Sequence, residues 1–212
     1  MRAIVVVGGE MRDADSNDAL WQQVDLIVAA DGGAQHLLRR GLVPHVVIGD
    51  MDSLTSAQRE HLRQLGCRFL SYPERKDETD AELALLYAVE QGAEEIIVLG
   101  ALGGRLDHTL ANVLLLALPE LRGTHVRLVD GQQEMILIRE QGTIQGEVGD
   151  TVSLLPISGN AEGITTRGLE YALDNGTLVF GRTRGVSNVL TAPTAHISVR
   201  KGALLCVHSK SR

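Results

Sequence analysis

The residues of this sequence that could do chemistry are mostly carboxylates, and they recur just past short apolar runs. Leu26-Ile27-Val28-Ala29-Ala30 leads into Asp31-Gly32-Gly33, and Val46-Val47-Ile48-Gly49 leads into Asp50-Met51-Asp52-Ser53. Ile96-Ile97-Val98-Leu99 leads into Gly100-Ala101-Leu102-Gly103-Gly104-Arg105-Leu106-Asp107-His108, and a fourth segment reads Lys76-Asp77-Glu78-Thr79-Asp80-Ala81-Glu82. In an extended segment residues i and i+2 project the same way, so Asp50 and Asp52 are expected side by side. Adjacent carboxylates repel unless a cation lies between them, and Mg²⁺ favours carboxylate, water and phosphate oxygens. The competing reading is a polar turn in which Asp52 or Ser53 starts the next helix. Thr79 with Glu82 fits a capping box ahead of Leu83–Val89. There Asp77 and Asp80 either only favour the helix dipole, or Asp80 completes a metal site at a helix end that attracts phosphate. Gly32 and Gly33 allow close approach of a ligand, although Asp-Gly is also a common turn. Gly103-Gly104-Arg105 can present backbone N–H groups and a planar clamp to phosphates; Asp107 either belongs to that site or caps the following helix. Neither a Walker A loop nor a GxGxxG fingerprint is present, which counts against P-loop chemistry and simple dinucleotide binding.

These residues need a scaffold that brings strand ends to one edge. Up to about Gly131 the runs Ala3–Val7, Leu26–Ala30, Val46–Ile48, Arg68–Ser71, Ile96–Leu99 and Val126–Val129 alternate with helical patterns. The helical patterns lie near Gly33–Arg40, Ser56–Leu65, Asp80–Gln91 and Leu110–Leu118. Continuous apolar strands separated by helices predict a mostly parallel, Rossmann-like α/β sheet covered on both faces. Such sheets bind ligands past the carboxyl ends of their strands, which is where Asp31, Asp50, Asp52, Asp80, Arg105 and Asp107 fall. After about Gln133 short alternating runs take over: Met135–Ile138, Val152–Leu155, Thr177–Phe180, Ile197–Arg200 and Leu204–His208. Asn175-Gly176 predicts a two-residue hairpin between Tyr171–Leu173 and Leu178–Phe180. The expected organisation is an α/β domain over 1–132, whose acidic edge suits Mg²⁺-nucleotide chemistry, and an antiparallel β-sandwich or small barrel over 133–212.

Composition narrows the classes. The 212 residues carry 20 Lys+Arg against 27 Asp+Glu, a formal charge of −7. With few aromatics and no basic stripe, nucleic acid is not an expected partner. Cys67 and Cys206 lie far apart, without CxxC or Cys/His ligand spacing, so neither a zinc site nor a disulfide framework is expected. The Met1–Gly9 segment reads as a buried strand rather than a leader, and no run approaches the roughly 18 apolar residues of a membrane span. The expected location is the cytoplasm, with no membrane partner.

Ala30-Asp31-Gly32-Gly33-Ala34, Gly49-Asp50-Met51-Asp52-Ser53-Leu54, Asp77-Glu78-Thr79-Asp80 and Gly103-Gly104-Arg105-Leu106-Asp107-His108 follow one another in that order. The ordered set resembles the thiamine pyrophosphokinase (thiamine diphosphokinase) family, bacterial type. Gly168-Leu169-Glu170-Tyr171 and Gly185-Val186-Ser187-Asn188 resemble that family's thiamine-binding β-domain. The resemblance implies transfer of a pyrophosphoryl group from ATP to the hydroxyethyl group of thiamine, releasing AMP. It matches Asp50, Asp52 and Asp80 to Mg²⁺ ligands, and Asp31, Arg105 and Asp107 to other active-site polar residues. Asp80 or Asp107 would accept the alcohol proton. Gly32, Gly33, Lys76, Asp77, Thr79, Gly103, Gly104 and Arg105 would meet ATP. Some members carry Gln or Asn where Lys76 stands, so Lys76 either touches phosphate or is solvated. Tyr171 stands where eukaryotic members tend to carry Trp and offers a ring platform for the thiamine cation. Ser187 and Asn188 either hydrogen-bond the pyrimidine or form a polar turn. The resemblance further implies a homodimer with the thiamine site between subunits. Two alternatives stand beside it: a pyrophosphokinase acting on another alcohol such as a hydroxymethylpterin, and a non-catalytic nucleotide- or vitamin-binding protein.

Overall fold

The computed structural model describes residues 1–12, 18–73 and 76–211. The chain forms two compact units, Met1–Gly131 and Gln132–Arg212. In the first unit, β1 (Arg2–Val6), β2 (Leu26–Ala30), β3 (Val46–Gly49), β4 (Arg68–Ser71), β5 (Glu95–Leu99) and β6 (His125–Asp130) pair in parallel. Their order is β6-β5-β1-β2-β3-β4. The chain therefore winds outward from β1 to β4 and returns to the other side of β1 as β5. That reversal opens a crevice beyond the carboxyl ends of β1 and β5.

Helices α1 (Asp18–Trp21), α2 (Gly33–Arg39), α3 (Ser56–Gln64), α4 (Asp80–Glu90) and α5 (Leu106–Leu115) connect the strands. Ile4, Val6, Ala29, Val47, Ile97 and Leu99 form one core cluster with Ala34 and Leu37 of α2 and Leu62 of α3. The alternate residues Ala3, Val5, Val28, Ala30, Val46 and Ile48 are buried as well, and α4 packs on β1, β2 and β3. Burial on both faces explains why these strands read as unbroken apolar runs.

Helix starts depart from the sequence reading in two places. Thr55 caps α3 in a reciprocal capping box with Gln58, so neither Asp52 nor Ser53 starts that helix. Arg105, not Asp107, is the N-cap of α5, which starts at Leu106 rather than Leu110 and ends at Leu115 rather than Leu118. The apolar run misled because Leu106, Leu110 and Leu114 are exposed. Thr79 does cap α4, accepting from Glu82 N at 3.2 Å.

The second unit contains β7 (Gln133–Ile138), β8 (Gln141–Gln145), β9 (Thr151–Pro156), β10 (Ala161–Arg167), β11 (Gly176–Leu178), β12 (Asn188–Val189), β13 (Thr194–Ser198) and β14 (Leu204–Ser209). They form two antiparallel layers, β12-β9-β14-β7 and β11-β10-β13-β8. Side chains such as Ile138, Val152, Leu154, Ile164, Leu190, Ile197 and Leu204 make their common core, the sandwich arrangement that alternation implied. The expected two-residue hairpin is corrected: β11 pairs with β10, not with Tyr171–Leu173. Asn175 does adopt a positive φ of 49°, but it ends the longer 168–175 connection, and side chains of that connection line a pocket instead of a ladder. Among the described residues no helix is long and apolar enough to cross a membrane.

Candidate functional site

The switch-point crevice has a volume of about 310 Å³. Asp31, Gly32, Thr79, Asp80, Gly103, Gly104 and Arg105, all singled out in the sequence, line it. Gly33 lies behind the lining, where a Cβ would come 1.9 Å from Val6 O; only glycine lets α2 begin so close to β1. Lys76 and Asp77 are not among the lining residues, and Asp77 is exposed.

Three carboxylates converge at this edge. Asp31, Asp50 and Asp52 each offer an oxygen, and these lie within 4.8 Å of one another. The route differs from strand alternation. Met51, buried in the core, has φ of 67°, so the chain turns between the two acids and Asp52 N donates to Asp50 Oδ1 at 3.1 Å. Asp31 also has a positive φ, 36°. Backbone strain of this kind persists where the surroundings over-determine it, commonly at functional sites. Ser53 Oγ donates to Asp31 Oδ2 and lies 3.1 Å from Asp52 Oδ1. Asp31 Oδ1 is buried and has no hydrogen-bond partner.

Burial raises the Asp31 pKa; the Ser53 hydrogen bond pulls it back, and the charges of Asp52, Asp50 and Asp80 push it up again. Hard oxygen donors, mutual repulsion and an orphaned carboxylate oxygen are the donor set of a Mg²⁺-type cation.

Asp80, the first residue of α4, faces the same edge. Gly49 sits between it and Asp31: a Cβ there would lie 2.9 Å from both Asp31 Cβ and Asp80 Oδ2. Lys76 Nζ donates to Asp80 Oδ1 and lies 5.6 Å from the centre of the Tyr72 ring. With its side chain 13% exposed, Lys76 is not the solvated residue that one reading allowed.

Arg105, which lines the crevice, grips Asp107, which is not among the lining residues, through a fork, Nε to Oδ1 at 3.1 Å and Nη2 to Oδ2 at 2.6 Å. Chiefly through this hydrogen bonding, Asp107 is held at a pKa of about 2. Both side chains are solvent-exposed, so Arg105 can exchange Asp107 for another anion.

Sequence reasoning missed Gly8, Gly9, Ser53, His108 and Asn112, which also line the crevice. Asn112 is buried and donates from Nδ2 to Ala101 O at 2.7 Å, bracing the glycine-rich loop. His36 Nε2 donates to Gly9 O at 2.7 Å, and burial lowers the His36 pKa, which keeps the ring neutral. Gly8-Gly9 directly after the first apolar run was the available signal.

In the sandwich unit a second pocket of about 480 Å³ is lined by Glu170, Tyr171, Arg184 and Asn188 over an apolar floor that includes Leu154 and Leu178. Tyr171 is 67% exposed, a ring offered to solvent. Asn188 anchors its main chain: Tyr171 N donates to Asn188 Oδ1, and Asn188 Nδ2 donates to Tyr171 O, both at 2.9 Å. Asn188 Oδ1 also accepts from Val189 N. Its amide is thus largely committed to the main chain at Tyr171 and Val189. Ser187 has φ of 61°, its N–H donates to Ser153 Oγ at 3.0 Å, and it is not among the pocket-lining residues.

A parallel sheet with an acid-lined switch-point crevice, in one chain with an antiparallel sandwich bearing an aromatic pocket, defines a nucleotide-processing enzyme with a separate small-molecule-binding unit. The chain matches the family described as thiamin pyrophosphokinase, catalytic domain, over residues 17–128, and thiamin pyrophosphokinase, vitamin B1 binding domain, over residues 137–204. It belongs to the thiamine pyrophosphokinase family. It is 30% identical over 207 residues to thiamine pyrophosphokinase of Bacillus subtilis strain 168, covering 97% of each chain. The crystal structure of thiamine pyrophosphokinase from Bacillus subtilis superposes with a TM-score of 0.88 at 27% identity over the full length of both chains. That of thiamin pyrophosphokinase from Geobacillus thermodenitrificans gives 0.84 at 30% identity, covering 100% of this chain and 98% of the other.

Proposed function

We infer that the crevice and the sandwich pocket together serve the family's reaction. The protein is an ATP-dependent thiamine diphosphokinase: it transfers a pyrophosphoryl group from ATP to the hydroxyethyl group of thiamine, giving thiamine diphosphate and AMP. The site assignment rests on one observation above the others, the convergence of Asp31, Asp50 and Asp52 around a buried, unpartnered carboxylate oxygen. We propose that these residues, with Asp80 at their edge, hold Mg²⁺, which when bound would neutralise charge on the ATP phosphate oxygens.

The remaining roles belong to the chain. The backbone of Gly32, the Gly103-Gly104 loop and Thr79 at the start of α4 receive the phosphates. Gly33 and Gly49 leave room for the strand ends to close on them. Lys76 orients Asp80 through their ion pair. Arg105 releases Asp107 to contact the transferring group, where its planar fork suits phosphate oxygens. Phosphoryl transfer asks little of a base, and we assign the alcohol proton to Asp80, which lines the crevice while Asp107 does not. In the sandwich, Tyr171 supplies a face for the thiamine cation and Asn188 anchors the backbone that carries it, with Glu170 as its counter-charge.

We also propose a homodimer with the thiamine site at the subunit interface. Exposed Leu106, Leu110 and Leu114 form one stripe along α5, and Val179, Phe180 and Val186 are exposed in the sandwich unit; apolar surface of this kind commonly marks an interface. Two free, buried cysteines accord with a cytoplasmic location. An AMP-release assay with thiamine and with a hydroxymethylpterin tests the substrate: AMP is expected with thiamine, and AMP with the pterin alone would overturn it.

A further inference from the structure

The sandwich pocket carries one charge of each sign, which is more than a simple cation requires. Glu170 and the exposed ring of Tyr171 suit a thiazolium, through charge and through cation–π attraction. Arg184 lines the same pocket and repels that cation. Arg184 is exposed at the pocket, and among the described residues no hydrogen bond or ion pair engages its guanidinium. The backbone that carries it is fixed nonetheless. Leu154 N donates to the adjacent Gly185 O at 2.8 Å, and a Cβ on Gly185 would come 2.1 Å from Leu154 O, so the loop is seated directly on β9. At about 480 Å³ the pocket falls within the roughly 300–1,000 Å³ of small-molecule sites.

A ligand that satisfies both charges is a cationic ring joined to an anionic tail. Thiamine is only the first half of that description; its phosphate esters are the whole. We propose that Arg184 makes this pocket prefer the phosphorylated forms of thiamine over thiamine itself, so that the enzyme holds its own diphosphate product and is inhibited by it. The proposal rests on the reading that the sandwich pocket is the thiamine site. A guanidinium can grip a terminal phosphate with two parallel N–H bonds, whereas an ammonium acts as a point charge.

Calorimetric titration of the full-length protein without ATP tests this, using thiamine, its monophosphate and its diphosphate. Affinity should rise in that order, the diphosphate binding about tenfold more tightly than thiamine, as expected for one exposed charge-assisted contact. Arg184→Gln should remove the preference, Arg184→Lys should keep part of it, and the product inhibition constant should move with the diphosphate affinity. If Arg184→Gln leaves the preference intact, or weakens thiamine and diphosphate equally, the role given to Arg184 is wrong. Tyr171→Ala separates the two levels. Should it weaken both ligands while Arg184→Gln leaves the preference unchanged, only the Arg184 proposal fails; should it weaken neither, the pocket is not the thiamine site and both fail.

Discussion

Replacing Gly49 by Ala adds one methyl group between Asp31 and Asp80 and removes no functional group. The new carbon would lie 2.9 Å from Asp31 Cβ and 2.9 Å from Asp80 Oδ2. Unstrained contacts between carbons fall near 3.5–4.0 Å, so the neighbours must withdraw by about 0.5–1 Å. A φ of 147° is also a setting that residues with a Cβ avoid. Backbone strain and overpacking each cost of order 1–3 kcal/mol. Partial relaxation of the two carboxylates should bring the total to about 2 kcal/mol, a fall in Tm of roughly 4–8 °C for a chain of this size. The effect on turnover should be larger, because displacing positioned groups by about 1 Å can cost 10²-fold in rate. The expected result is a folded variant whose kcat falls on the order of 10²-fold in an AMP-release assay at saturating substrates, with melting followed in parallel. A kcat within about threefold of the parent protein would refute the reasoning, since it would show that the spacing of Asp31 and Asp80 does not position the chemistry.

Asp52→Asn should nearly abolish turnover while leaving the circular dichroism unchanged, because a neutral amide binds Mg²⁺ poorly; wild-type-like activity would rule out Asp52 as a ligand. Tyr171→Ala should raise the KM for thiamine roughly tenfold and that for ATP far less, and equal rises in the two would mean that Tyr171 only packs. His208, 1% exposed, is held between Asp150 Oδ2 at 2.8 Å and Glu134 Oε1 at 3.3 Å, so His208→Gln should destabilise the sandwich unit by about 3–5 kcal/mol in urea unfolding. The Glu134 hydrogen bond, against the opposing effect of burial and with help from Asp150, raises the His208 pKa above its ordinary 6.5. A raised folded-state pKa contributes stability fully below the unfolded value and loses it as pH climbs through the folded one. The gap between parent and variant should therefore be widest in mildly acidic buffer and shrink toward alkaline pH; a gap that grows with pH would contradict the charged-histidine account.

Much of the first unit was legible because a sheet buried on both faces leaves unbroken apolar runs, and the carboxylates follow those runs directly. Local rules failed where a residue answers to something distant. The apolar stripe of α5 pointed to a start at Leu110, yet Leu106, Leu110 and Leu114 face outward and the helix begins a turn earlier. The Asn175-Gly176 signal marked a real bend, but the strand before it is β10, reached across a pocket-lining connection. Asp50 and Asp52 were expected together through strand alternation; they meet because Met51 is drawn into the core and turns the chain between them. Asn112 carried no signal of its own and became part of the site only by lying at the switch point.

Residue types and their order determined the class of chemistry: acids after apolar runs, a glycine-rich loop with an arginine, and a change of texture near residue 132. Distances decided the rest. Only the folded chain shows that Asp31 joins Asp50 and Asp52 while Lys76 takes Asp80. It alone shows Asp107 forked by Arg105, and Asn188 committed to Tyr171. The physical reason is that electrostatic and hydrogen-bonding effects fall off over a few ångströms. Which neighbour a carboxylate finds at that range is set by how strands and loops from separate parts of the chain converge, not by the residues beside it in sequence.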